Sequence, residues 1–144
     1  GYDMTDDRWI TLKEKFKQIL LDNNCDEAIT GMALGVDTIF AYAVLELKDD
    51  GYDIKLHCAV PCRKFSNKWD KYNKAMYRHI LHLADTVKLV SEEEYKPYLM
   101  QKRNEYMVDH SDKVIAVWDG SKSGTKNCID YAKKVGKDII YIQP

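Results

Sequence analysis

An α/β fold with a mostly parallel sheet is what this sequence predicts, and three observations carry that expectation. Strand-like apolar runs alternate with stretches of helical periodicity along the chain. Runs such as Val114-Ile115-Ala116-Val117 and Ile139-Ile140-Tyr141-Ile142 are apolar at successive positions, which suits parallel strands covered by helices on both faces. Glycines follow strand-like runs, at Gly31 and Gly35 and again at Gly120 and Gly124, where an open parallel sheet places its ligands.

Each element has its own signal. A first helix is expected over residues 5 to about 23, with Trp9, Leu12, Phe16, Ile19 and Leu20 at helical spacing and Thr5 or Asp6 as cap. A short strand over 28–30 ends at Gly31, and Val36, Ile39, Phe40, Ala43, Val44 and Leu47 mark a second helix stopped near Gly51. A strand over 54–60 is closed by Pro61; 70–84 is helical, 86–90 a strand, and 97 to about 109 helical. The almost continuous apolar run at 113–118 is a strand, 125–135 a helix ended by Gly136, and 138–142 the last strand. Five strands alternating with five helices make a Rossmann-like three-layer sandwich, expected as one domain over residues 1–144.

Composition excludes several classes. With 45% hydrophobic and 31% charged residues, 7 Gly and 3 Pro, the chain is neither disordered nor collagenous. No apolar run approaches the ~18 residues of a membrane-spanning helix. Lysine plus arginine number 22 against 23 acidic residues, and the resulting charge of −1 removes the broad basic footprint of non-specific nucleic-acid binding. No charged-then-apolar segment opens the sequence, so a reducing, cytoplasmic setting is expected. Cys25, Cys58, Cys62 and Cys128 make no C-x-x-C pair, which favours structural thiols over a zinc or redox motif. His79 and His82 lack a carboxylate or cysteine at ligand spacing, so no metal and no other cofactor is expected. Glu92-Glu93-Glu94 reads as a solvated loop or helix start.

Four segments after strands hold the candidate site. In Thr30-Gly31-Met32-Ala33-Leu34-Gly35-Val36-Asp37 the glycines either bring backbone close to a phosphate at a helix amino end or merely turn the chain, and Asp37 falls in the first helical turn. Asp119-Gly120-Ser121-Lys122-Ser123-Gly124-Thr125 is the better phosphate cradle, since N–H groups, hydroxyls and a helix amino end converge there; it lacks the G-K-[ST] ending of a P-loop. Arg103-Asn104 places a guanidinium on a helix with Met107 and Val108 at core spacing, either as a phosphate clamp or as a surface arginine. Pro61 to Trp69 mixes basic residues with two aromatics, able to wall a base or to cover the core.

At these segments the chain resembles the SLOG superfamily, the Rossmann-like group containing the lonely-guy phosphoribohydrolases and the DNA-processing protein A fold, and most closely its YpsA-like branch. The likeness is carried by Gly31-Met32-Ala33-Leu34-Gly35-Val36-Asp37, by Ala59-Val60-Pro61 with Trp69, by Arg103-Asn104-Glu105-Tyr106-Met107-Val108, and by Trp118-Asp119-Gly120 with Gly124-Thr125. It implies a pocket for a nucleotide or nucleotide-derived ligand at Gly31, Met32, Ala33, Gly35, Asp37, Pro61, Trp69, Arg103, Asn104, Asp119, Gly120, Ser123, Gly124 and Thr125.

Two departures shape the functional expectation. Lonely-guy hydrolases pair an arginine, matched by Arg103, with a glutamate three residues after the glycine-threonine pair; here that position is Cys128. A neutral thiol replaces a carboxylate poorly in acid/base work, so binding without turnover is expected unless Asp119 or Asp37 substitutes. Relatives of this branch also begin with a strand and a threonine-glycine-histidine-arginine-proline loop ahead of a segment like Gly1-Tyr2-Asp3, so the resemblance implies a fold whose first, central strand is absent from this chain, leaving two inner strand edges without ladder partners. The expected partner is a nucleotide-type small molecule, with self-association open, nucleic acid disfavoured and no membrane. The alternatives are a nucleotide or N-glycosidic-bond hydrolase and a DNA- or protein-interaction module.

Overall fold

The structure is a computed structural model that describes residues 6–144. Thr5 as a cap and the Gly1-Tyr2-Asp3 segment lie outside the described residues. The elements run α1 (Asp7–Asp22), β1 (Glu27–Thr30), α2 (Val36–Asp49), β2 (Lys55–Val60), α3 (Lys71–Leu83), β3 (Thr86–Leu89), α4 (Pro97–Asp109), β4 (Lys113–Val117), α5 (Gly124–Lys134) and β5 (Asp138–Ile142). Five helices and five strands appear in the predicted order, the fold is α/β, and the strands pair in parallel, as in a Rossmann-like sandwich.

Side-chain caps explain where helices start. Asp6 accepts the Arg8 N–H at 2.8 Å and pairs with its guanidinium at 2.9 Å, opening α1. Asp70 accepts the Asn73 N–H at 2.9 Å at the head of α3, and Ser123 accepts that of Lys126 at 3.2 Å at the head of α5. Pro97 needs no amide partner in the first turn of α4.

The described residues form two compact units: one runs to Cys58 and resumes over Ser66–Lys88, and the other comprises Ala59–Phe65 with Leu89–Pro144. In the first, α2 packs on α1, α3 and β1, and Trp9, Leu12, Phe16, Ile39, Val44 and Leu47 are buried. The three-stranded sheet has the order β1-β2-β3, with Glu27 opposite Lys55 and Thr30 opposite Cys58. Alternation gives it two unlike faces: Ala28, Thr30, Leu56 and Cys58 are buried, whereas Glu27 and Lys55 are exposed and Ile29 and His57 half-buried.

In the second unit β4 and β5 pair in parallel over five positions, from Lys113 opposite Asp138 to Val117 opposite Ile142. α5 packs on both strands and on α4. These most apolar strands are less covered than the sequence suggests: Val114, Ile115, Val117, Ile139 and Ile140 are half-buried and Tyr141 is exposed. The strands divide between two sheets, so among the described residues β4 has only β5 as a ladder neighbour and β1 only β2. Each therefore carries one edge without a strand partner among the described residues.

All four cysteines are thiols rather than disulfides. Burial pushes the Cys58 thiol up to about 12.

Two stability outcomes follow. Ile39 is 0% exposed, so Ile39→Ala should cost about 2 to 5 kcal/mol by urea denaturation, whereas Leu34→Ala on the exposed turn should change stability by no more than about 0.5 kcal/mol. The Asp85 carboxylate accepts the Leu56 N–H at 2.8 Å and the Lys48 ammonium, and these partners, Lys48 first, hold it below its ordinary 3.8. A carboxyl with a lowered folded pKa stabilises fully above its unfolded value and loses that contribution as pH falls through the folded value. Asp85→Ala should therefore cost about 1 to 3 kcal/mol near neutrality, because it leaves a buried amide unpaired. The stability gap between the native protein and Asp85→Asn should close as the pH is taken below 3.8 in urea titrations.

Candidate functional site

The turn between β1 and α2 is held by its own residues. Gly35 takes φ +84°, a conformation that suits glycine, and forms the cap of α2 without a side-chain bond. Met32 sits at φ +60° although it has a side chain, which is 1% exposed. Thr30 Oγ1 accepts the Met32 N–H at 3.4 Å and donates to the Asp37 carbonyl at 3.2 Å, while Asp37 Oδ2 accepts the Ala33 N–H at 3.0 Å. The Met32 and Ala33 amides are thus bonded within the turn, to Thr30 and Asp37. Asp37 also brings a carboxylate to the helix amino end, where it satisfies the dipole that would otherwise attract an anion.

The loop after β4 is more open. Asp119 Oδ1 accepts the Ser121 N–H at 2.9 Å, and the bonds from Ser121, side chain first, hold its carboxyl below the usual range. Trp118 Nε1 donates to the Ser121 carbonyl at 2.8 Å, with its ring tilted 36° to that of Tyr141 at 6.4 Å. Asp119, Gly120, Ser123 and Gly124 are exposed and Thr125 is half-buried. Gly124 opens α5, and a Cβ there would meet nothing within 4 Å. First-turn amides have no intrahelical acceptor, so the Gly124 and Thr125 N–H groups point ahead of the helix by its own geometry.

Arg103 is 6% exposed on α4, and its Nε donates to Asn104 Oδ1 at 3.0 Å. It is therefore not a surface arginine. Cys62 is buried in the same unit, and burial raises its thiol more than the Arg103 charge lowers it. Pro61, Arg103, Asn104, Asp119, Gly120, Ser123, Gly124 and Thr125 all fall in the second unit, with α4 packed on α5. Gly31 to Asp37 and Trp69 fall in the first, where Trp69 packs edge-on against Tyr77 at 5.2 Å.

Sequence reasoning missed a pairing between the basic loop and the acidic run. The Arg63 N–H donates to the Glu93 carbonyl at 2.9 Å, and the Lys64 ammonium meets Glu94 at 2.8 Å. Lys96 and Tyr98 both donate to the Glu93 carboxylate, whose pKa is lowered, with Tyr98 as the larger cause. The signal was present as opposite charge on two segments, but only their register joins them. A cavity of about 440 Å³ lies at the amino ends of β1 and β2, lined by residues including Leu20, Cys25, Asp26, Leu47, Tyr52 and Ile54. Its lining includes none of the candidate site residues, and its Asp26 and Asp53 carboxylates disfavour an anion.

Comparison with known proteins agrees with this architecture. The sequence matches the YspA SLOG family over residues 6–143. The uncharacterized SPbeta prophage-derived protein YoqJ of Bacillus subtilis (strain 168) is 39% identical over 140 residues, covering 87% of this chain and 82% of that protein. A UPF0398 protein of Levilactobacillus brevis is 30% identical over 118 residues, covering 79% of this chain and 62% of its own length. The E-1-hydroxy-2-methyl-but-2-enyl-4-diphosphate reductase of Plasmodium falciparum overlays with a TM-score of 0.28 at 15% identity, covering 91% of this chain and 46% of that one, too loosely to carry an argument. With its order of elements and this match over nearly its full length, the chain belongs to the YspA SLOG family, YpsA.

Proposed function

We propose that this protein binds a nucleotide or nucleotide-derived ligand at the carboxyl ends of its strands and does not turn it over. The observation that carries the reading is Arg103, a guanidinium 6% exposed on the helix that packs against α5. Burying a charge is costly, and a guanidinium kept inside such a unit is well suited to a planar or phosphate oxygen pair. The exposed Ser123-Gly124-Thr125 start of α5 adds first-turn amides.

The Asp119 carboxylate refines the ligand class. Asp119 stays ionised and can only accept, so it suits ribose hydroxyls rather than phosphate. A ligand with both sugar and phosphate fits this mixture better than inorganic phosphate does. Absence of turnover rests on Cys128, because a thiol is a poor substitute for a carboxylate as acid or base. Four thiols without a disulfide fit a reducing, cytoplasmic setting, and no helix among the described residues is long and apolar enough to cross a membrane.

A thermal-shift panel of AMP, ADP-ribose, NAD and cyclic nucleotides tests the reading. A ligand at 100 times its dissociation constant adds about 2.7 kcal/mol, which moves the melting point of a domain of this size by several degrees. At least one should do so with no base released on chromatography; steady base release assigns hydrolysis instead, and no shift from any member removes the nucleotide reading. Arg103→Lys keeps the charge while losing the planar fork, and should weaken the responding ligand by about tenfold to a hundredfold. Unchanged affinity in a folded Arg103→Lys protein takes Arg103 out of the site.

A further inference from the structure

The half-exposed face of the β1-β2-β3 sheet carries a hydrogen-bonded relay that lies wholly in the first unit and is independent of the nucleotide reading. His57 Nε2 lies 3.0 Å from Glu27 Oε1, and His57 Nδ1 lies 2.6 Å from Thr86 Oγ1. Strand alternation brings the side chains together: Glu27 is opposite Lys55, and His57 shares the face of Lys55 two residues on. The alternate residues Ala28 and Leu56 are buried on the other face and fix the backbone beneath the relay.

Elementary chemistry sets the direction of both bonds. A carboxylate only accepts, so in the neutral imidazole Nε2 holds the proton and donates it to Glu27. Nδ1 is then the nitrogen with the lone pair, and the Thr86 hydroxyl donates to it. A hydroxyl bonded to a base that is oriented by a carboxylate is the arrangement that activates an oxygen nucleophile. The distance is within the range for proton transfer. Asp85, next to Thr86 in the chain, is held by Lys48 and the Leu56 amide, which fixes where β3 begins beside His57. Thr86 is exposed, as is Glu27, so a small reagent reaches the hydroxyl without a pocket.

We propose that Thr86 is a base-activated nucleophile that accepts an acyl group from a small, activated ester, with His57 as general base and Glu27 as the residue that positions it. Thr86 Oγ1 bonds to the acyl carbon as its proton passes to His57 Nδ1. The bond from that carbon to the ester's alcohol oxygen breaks, and the departing oxygen takes the proton from His57. O-acyl-Thr86 and an alcohol result. Water, deprotonated by His57, then attacks the acyl carbon, releasing a carboxylic acid and restoring the hydroxyl.

The test uses p-nitrophenyl acetate with the full chain, reading nitrophenol release and the position of the acetyl group by peptide mass spectrometry. Acetyl should accumulate on Thr86 ahead of other exposed hydroxyls. His57→Gln should slow that labelling by about a hundredfold. Glu27→Gln should slow it less, Thr86→Ser should restore labelling at the same position, and Thr86→Val should abolish it, all in proteins whose far-ultraviolet dichroism matches the native chain. A plain cross-strand polar ladder gives lower melting temperatures without selective Thr86 labelling, and that result, or labelling of Thr86 unchanged by His57→Gln, overturns the proposal. The nucleotide panel is read on a different ligand and a different unit, so either idea can fail alone.

Discussion

Asp85 is the residue on which the geometry of the first unit depends. Its N–H donates to the Leu56 carbonyl at 2.8 Å, and its carboxylate accepts the Leu56 N–H at the same distance, so one residue pairs both backbone groups of a position that is 0% exposed. The Lys48 ammonium on α2 completes the lock. A buried strand end must find partners for its amides, and here a side chain supplies the acceptor that a ladder would otherwise provide. Because that contact fixes where β3 begins against β2, it also fixes Thr86 beside His57. The β1–β2 register then adds Glu27.

The same economy of amides governs the loops. Asp37 takes the Ala33 N–H and Asp119 takes the Ser121 N–H, so each glycine turn is stabilised by a carboxylate of its own. A loop that keeps its shape in this way is preorganised, which lowers the ordering cost of binding. It also acquires negative charge, which moves its preference from anions towards hydroxyl groups. Arg103 and the open start of α5 are the opposing features in the second unit.

Most elements were legible because their signals are local. Asp6 and Asp70 cap their helices as side chains of that type do, and Gly51 and Gly136 stand at φ +95° and +79° just past α2 and α5. What could not be read was whatever depends on register between distant segments. Glu27, His57 and Thr86 are about 30 residues apart in steps and look like scattered polar residues until three strands align. The Lys64–Glu94 pair is hidden for the same reason. Periodicity also overstated the cover on β4 and β5: an apolar run records what a strand tolerates, while burial depends on how many neighbours the sheet supplies.

Arg103 shows how burial and function trade against each other. A methionine or leucine in its place on α4 would bury apolar surface without desolvating a charge, and replacement of buried ions by well-packed apolar residues is often neutral or stabilising. The protein instead holds a guanidinium at 6% exposure, with Nε bonded to the neighbouring Asn104 and its field opposing the burial of the Cys62 thiol. The bond to the adjacent residue is local and fixes the plane of the fork, which is the property that separates arginine from lysine in recognising paired oxygens. That orientation makes Arg103 the residue from which the binding reading starts.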